Sequence, residues 1–296
     1  MNFVIKLTQK QLDAFLDFYK DALVSSNDQH VLARFKKEGV VITVYTTGSV
    51  MFQGKDAEHE VLFWEDTFKL PKRFVEEQPA MPFYFPSIGS DESGSGDYFG
   101  PLTACAVAIY KEDVAFLKQF KIQDSKTLSD DLIREIAPQL VKRLKYSLNI
   151  LDNETYNRLV EEGYNLNKLK AFLHAQCHKT LLRKINEELP IVIDQFCEPT
   201  LYKRYLSTFH QPPIPDYFYT KAESRFASVA VASIIARYVF LERLSTLGKP
   251  YNVMLHKGAS SKVDEQARSL VEQHGEKVLN KVAKTHFKNT QKVLDK

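Results

Sequence analysis

The feature that most constrains this chain is a change of pattern at residues 70–86. Pro71, Pro79, Pro82 and Pro86 fall there, and periodic apolar positions are sparse. Proline removes a backbone donor and restricts the residue before it, so such a stretch joins elements and does not build one. Ahead of it, residues 3–7 read as a short strand. Thr8 and Gln11 then stand at capping-box spacing before a helix whose Leu12, Phe15, Leu16, Tyr19 and Leu23 share one face. Extended runs follow at 30–37, 40–46 and 49–53, separated by Glu38-Gly39 and Thr47-Gly48, which suit tight hairpins. A second amphipathic stretch at 58–68 closes the region. Beyond the prolines, strands alternate with helices: strands at 84–90, 102–110, 146–151 and 191–194, helices at 130–144, up to residue 188 and at 228–247. We therefore divide the chain into a small α+β domain with an antiparallel sheet at 1–70, a linker at 71–84 and an α/β domain at 85–296.

Length agrees, since 296 residues favour two domains at roughly 100 to 200 residues each. A hydrophobic fraction of 44% and a charged fraction of 26% are those of a folded globular protein. The net charge of +3 is compatible with nucleic acid without requiring it. Cys105, Cys177 and Cys197 lack CxxC spacing, which argues against a disulfide framework or a sulfur-ligated zinc and fits a reducing cytoplasm. The first residues turn polar before a signal-peptide core forms, and no run of about 18 apolar residues occurs. We expect a cytoplasmic protein with no membrane contact and no obligate protein partner.

Chemistry concentrates in acids placed where strands end. In residues 88–101 an apolar strand runs into Asp91 and Glu92 and then into Gly94-Ser95-Gly96. Adjacent strand residues point to opposite faces, so these two acids share a centre only if the pleat breaks, which the glycines permit. Hard cations such as Mg²⁺ take oxygen ligands. Asp194 ends Ile191-Val192-Ile193, a branched apolar run suited to a central strand; a structural or turn-forming acid would look the same in isolation. Glu223 precedes the small-residue helix 228–247 and Lys221 lies beside it, placed for phosphate; alone, this acid reads as a partner for the helix dipole. His174 and His178 are spaced i, i+4 without an HExxH pattern, so we read them as a helical surface pair. Lys277, Lys281, Lys284, Lys288 and Lys292 would form one stripe on a helix, a solvated face before a phosphate-binding one. No GxGxxG or P-loop context accompanies Gly94-Ser95-Gly96, which excludes a nucleotide cradle.

Taken in order, Gly89-Ser90-Asp91-Glu92-Ser93-Gly94-Ser95-Gly96-Asp97-Tyr98-Phe99-Gly100-Pro101, Asp124-Ser125-Lys126, Asn167-Lys168-Leu169-Lys170-Ala171-Phe172-Leu173-His174, Ile193-Asp194, Lys221-Ala222-Glu223 and His286-Phe287-Lys288-Asn289-Thr290 resemble the type-2 ribonuclease H family. Within it, the chain is similar to the ribonuclease HIII form, which carries an extra N-terminal domain. The resemblance implies a ribonuclease H-like mixed sheet flanked by helices. It also implies four catalytic, metal-binding acids at Asp91, Glu92, Asp194 and Glu223, serving two Mg²⁺ or Mn²⁺ ions. It further implies hydrolysis of the RNA strand of RNA–DNA hybrids, leaving 5′-phosphate and 3′-hydroxyl ends. Substrate contacts implied in the same way are Gly94, Ser95 and Gly96 on RNA 2′-hydroxyls, with Lys126, Asn167 and Lys221 near the scissile phosphate. Residues 1–70 look like a TATA-binding-protein-like module that grips the hybrid, with Arg34, Lys36 and Lys37 on its sheet. Two departures stand out. Glu223 occupies a place where many type-2 enzymes carry Asp, and Ala259 follows His256-Lys257-Gly258 where others have a tyrosine, which implies weak or no cutting at a single embedded ribonucleotide. The alternative is a non-catalytic hybrid- or DNA-binding protein, whose binding would weaken with salt but need no divalent metal.

Overall fold

Two glycines in the left-handed region, Gly39 and Gly48 with φ of 75° and 80°, turn the N-terminal strands back on themselves. The computed structural model describes residues 2–26, 28–70, 81–120, 122 and 127–295. Most of the expected linker and Lys126 therefore lie outside the described residues. Two units are distinguished, one formed by Met1–Glu77 with Cys197–Arg204 and the other by Gln78–Phe196 with Tyr205–Lys296.

In the first unit the order is β1 (Asn2–Lys6), α1 (Gln9–Phe18), β2 (Leu23–Val24), β3 (Val31–Lys37), β4 (Val40–Tyr45), β5 (Ser49–Gln53) and α2 (Ala57–Thr67). The capping box holds: Thr8 N–H donates to Gln11 Oε1 at 2.9 Å. The five strands form an antiparallel sheet ordered β1-β5-β4-β3-β2, with β2 an addition that so short a run does not announce. Phe35, Ile42, Val50 and Phe52 alternate inward and pack with Phe15 and Trp64 from the helices. Arg34 and Lys36 are exposed. Lys37 is not a free sheet cation, because its Nζ donates to the buried Glu60 at 3.0 Å.

The remaining elements are β6 (Ser87–Ser93), β7 (Leu102–Ile109), α3 (Val114–Leu117), α4 (Asp130–Arg143), β8 (Lys145–Leu151), α5 (Asn153–Glu161), α6 (Leu166–Ile185), β9 (Ile191–Asp194), α7 (Pro199–Tyr205), β10 (Tyr217–Tyr219), α8 (Ala227–Gly248), α9 (Ser261–His274), α10 (Lys277–Val282) and α11 (Lys288–Leu294). The sheet is ordered β10-β9-β6-β7-β8. β6 runs parallel to β9 and antiparallel to β7, so the sheet is mixed, as expected.

Alternation along β6 sorts the site. Ser87, Gly89 and Asp91 face α8: Ser87 Oγ lies 2.8 Å from Ser228 Oγ, and a Cβ on Gly89 would stand 2.3 Å from the Ser228 carbonyl carbon and the Val229 nitrogen. Glycine is what lets that helix lie against the strand. Ile88, Ser90 and Glu92 face α6, where Ile88 packs with Cys177 and Leu181.

The lysine stripe does not form. α10 and α11 are separate short helices, and Lys284, between them, is fully buried.

Candidate active site

The strand does not end at the acids. β6 continues through Asp91 and Glu92, which oppose Cys105 and Ala104, to Ser93 opposite Thr103. The pleat expected to break there is intact because β7 pairs with it throughout; the two acids start from opposite faces of the sheet, yet the Glu92 charge still acts on Asp91, so at the strand end neighbouring carboxylates stay close without a broken pleat. Asp91, on the α8 side, accepts from Ser233 and, at Oδ1, from the Glu92 N–H at 2.8 Å. Glu92, on the α6 side, meets Lys170 Nζ at 2.6 Å and His174 Nε2 at 3.0 Å.

Parallel register pairs Ser90 with Ile193, which sets Asp194 beside Asp91 at the rim. The Ala222 N–H donates to Asp194 Oδ1 at 2.9 Å. Glu223, the next residue, is buried in a short 3-10 turn ahead of α8. Lys221 is exposed at the entry to that turn, in the left-handed region with φ of 55°.

Burial, the Glu92 charge and the Asp194 charge together push the Asp91 carboxyl up, against the Ser233 hydrogen bond. For Glu92, burial is overcome by Lys170 and His174, and its carboxyl is held below the usual range. The site therefore has one acid with its cation built in and another that repels its neighbours. Among the described residues, no three His, Cys, Asp or Glu side chains stand ready as a metal shell. The donors themselves fit a hard divalent cation: all are carboxylate oxygens, and a positive ion would offset the burial and the neighbouring negative charges that raise Asp91.

The histidines expected at the surface are buried. His178 Nε2 and His174 Nδ1 both contact Ser90 Oγ, at 2.7 and 2.8 Å. Glu92 as a carboxylate only accepts, so His174 Nε2 carries a proton; which way the two bonds at Ser90 run depends on the tautomers of the two rings. Burial, then the nearby His174, lowers His178 to about 3, so it is neutral in this chain of hydrogen bonds. Lys170 was not singled out by the sequence reading, although a signal existed: Asn167, Lys170, His174 and His178 recur at helical spacing on one face of α6. Asn167 itself is half-buried in the first turn of that helix.

In the glycine turn, Gly94 has φ of 92°, and a Cβ there would meet Pro101 O at 2.2 Å. The fold needs that glycine. Gly96 is exposed, and a Cβ there would meet nothing within 4 Å, so its lack of a side chain serves approach from outside. Ser95 is half-buried between them.

Residues 88–290 match the family model described as Ribonuclease HII, and residues 2–74 match a domain of unknown function. The ribonuclease HIII of Bacillus licheniformis is 40% identical over 98% of this chain and 96% of its own. That of Bacillus subtilis is likewise 40% identical, over 98% and 96%. The chain belongs to the ribonuclease HIII family. It is thus a ribonuclease H, an endoribonuclease of a family that acts on RNA–DNA hybrids, and the acids described above lie within the matched region. Among solved structures, Bst-RNase HIII in complex with Mn²⁺ superposes with a TM-score of 0.71 at 38% identity, covering 100% of this chain and 98% of that one. The ribonuclease H2 from Pyrococcus horikoshii OT3, at 19% identity and a TM-score of 0.56 over 70% of this chain and 96% of that one, shares the fold. Ribonuclease HIII membership and the mixed-sheet fold agree with the sequence expectation. Among the described residues no helix is long and apolar enough to cross a membrane.

Proposed function

We propose that this ribonuclease H cuts the RNA strand of RNA–DNA hybrids endonucleolytically, using two Mg²⁺ or Mn²⁺ ions held by Asp91, Glu92, Asp194 and Glu223. The observation that carries the reading is the rim of β6 and β9, where burial and then the charges of Glu92 and Asp194 raise Asp91. A buried carboxylate beside further carboxylates is costly to a fold and favours a cation. When bound, two such ions activate water and stabilise the departing 3′-oxygen of the scissile phosphate.

The chain's own groups prepare that site. Lys170 and His174 hold the Glu92 carboxyl below the usual range and fix its direction; the Ala222 N–H fixes the direction of Asp194. Glu223 sits at the start of the helix whose Ser233 holds Asp91. Exposed Lys221 and the N-terminal turn of α6 with Asn167 flank the rim and supply phosphate contacts, with Lys126 as a further one. Gly94-Ser95-Gly96 offers backbone to RNA 2′-hydroxyls, which distinguish RNA from DNA. The products would be 5′-phosphate and 3′-hydroxyl ends. Because Ala259 offers no ring to stack, cutting at a single embedded ribonucleotide would be weak or absent. We also propose that residues 1–70 form the unit that grips the hybrid. The three cysteines are buried and joined by no disulfide, which fits a reducing cytoplasm.

Incubating the protein with labelled hybrid, duplex DNA, duplex RNA and DNA carrying one ribonucleotide, each with Mg²⁺, Mn²⁺ or chelator, tests this. Metal-dependent cutting confined to the RNA of the full hybrid is the expected result. Binding without cutting in either metal would contradict it.

A further inference from the structure

Lys284 is a lysine in an unusual place: its exposure is 0%. A buried ammonium is costly unless its donors are satisfied. Here Nζ donates to the main-chain carbonyls of Asp97 and Gly100, at 2.9 and 2.5 Å, and lies 5.8 Å from the Tyr156 ring centroid. Asp97 and Gly100 bracket the far side of the glycine turn, which begins with Asp97 N–H donating to Gly94 O at 3.3 Å. The Lys284 N–H also donates to Tyr98 O at 2.8 Å, so one residue holds the return limb of the turn at three carbonyls.

The same limb carries a second loop. Tyr98 N–H donates to Gly258 O at 2.9 Å, and Gly258 N–H donates to Asp97 Oδ1 at 2.6 Å. An Nζ donor on the Asp97 carbonyl polarises the Asp97–Tyr98 peptide, whose N–H is the one given to Gly258; hydrogen bonds in series strengthen one another in this way. The glycine turn and the His256–Ala259 loop are thereby fixed relative to each other from inside the protein.

We propose that Lys284 is a positioning residue for hybrid recognition, acting through the Asp97 and Gly100 carbonyls to set the Gly94-Ser95-Gly96 turn and the His256–Ala259 loop that is bonded to it. It touches neither substrate nor the carboxylates. This rests on the reading that the turn meets the RNA strand.

The test compares KM and kcat on hybrid for Lys284→Met, Gly96→Ala and Asp97→Ala, with Mn²⁺ affinity measured by titration on each. Losing both Nζ hydrogen bonds to the turn raises KM by about tenfold or more in Lys284→Met, with kcat changed by less than about threefold. Mn²⁺ affinity stays that of the parent, because no acid is touched. Lys284→Met combined with Asp97→Ala gives a KM increase smaller than the product of the two single effects, since both act on one pair of loops. If Gly96→Ala raises KM while folded Lys284→Met does not, the proposal is overturned and the turn reading survives. If neither raises it, the turn reading itself fails. A loss of Mn²⁺ affinity in Lys284→Met would also overturn it, by showing that the lysine acts on the metal site. Should Lys284→Met not fold, Lys284→Gln keeps a shorter polar donor that cannot span both the Asp97 and Gly100 carbonyls and carries the same prediction at about threefold in KM; no change there overturns the proposal.

Discussion

At the scale of single residues, the site depends on what stands behind the acids. Gly89 admits α8 to within contact of β6, two residues before Asp91, and an added Cβ would lie 2.3 Å from helix backbone that cannot step aside. Gly89→Ala should cost about 3 kcal/mol of stability, the upper end of overpacking costs, and should reduce cleavage further by displacing Asp91; denaturant midpoints and rates on hybrid measure both. His178 carries a pH prediction. Its folded value, about 3, lies below the ordinary value of about 6.5. Between the two the unfolded chain binds a proton that the folded chain does not, so the group removes stability as pH falls below about 6.5 and has no effect above it. Urea midpoints between about pH 7.5 and pH 5 should therefore fall more steeply for the parent than for His178→Gln, and equal slopes would refute the assignment. The acids at the end of β6 stood out in the sequence because carboxylates rarely follow an apolar strand beside glycines, whereas Asp194 and Glu223 alone read as structural acids and joined the set only through the family resemblance. The partners were not: His174 and His178 meet Ser90 across 84 and 88 residues of chain, a closure that no local pattern encodes.

At the scale of elements, periodicity located most strands and helices, and tertiary pairing set where they end. β6 was expected to stop before the acids. It runs on to Ser93 because β7 supplies partners that far, and the consequence is chemical, since Asp91 and Glu92 then face different helices. The tail was misread for a related reason. Lysines at helical spacing imply one helix, but the chain breaks between α10 and α11, where Asn157 of α5 binds both sides. Its Nδ2 donates to Ala283 O at 2.9 Å and its Oδ1 accepts the Thr285 N–H at 3.0 Å. Asn157 is buried, so Asn157→Ala leaves both backbone groups unpaired and should cost about 2 to 3 kcal/mol, read from denaturant unfolding. Gly39 and Gly48 were readable as turns because glycine takes φ above zero without steric cost.

At the scale of the whole molecule, the prolines at 71–86 separated two kinds of pattern, and the structure builds separate apolar clusters, one under the antiparallel sheet and others around the mixed sheet. The mixed sheet brings the ends of β6 and β9 together with the turn before α8, so acids from three distant segments reach one rim. The central claim is that this rim is the hydrolytic centre. Asp91→Asn keeps the size of the side chain and the oxygen that accepts from the Glu92 N–H while removing the charge. The decisive measurement is the rate at which parent and Asp91→Asn proteins cut the RNA strand of a labelled hybrid at saturating Mg²⁺. The account predicts loss of cleavage by a factor of about 10³ or more, of the size seen when a group stabilising transition-state charge is removed, with the unfolding midpoint unchanged or raised. Cleavage at the parental rate by the folded variant would contradict it.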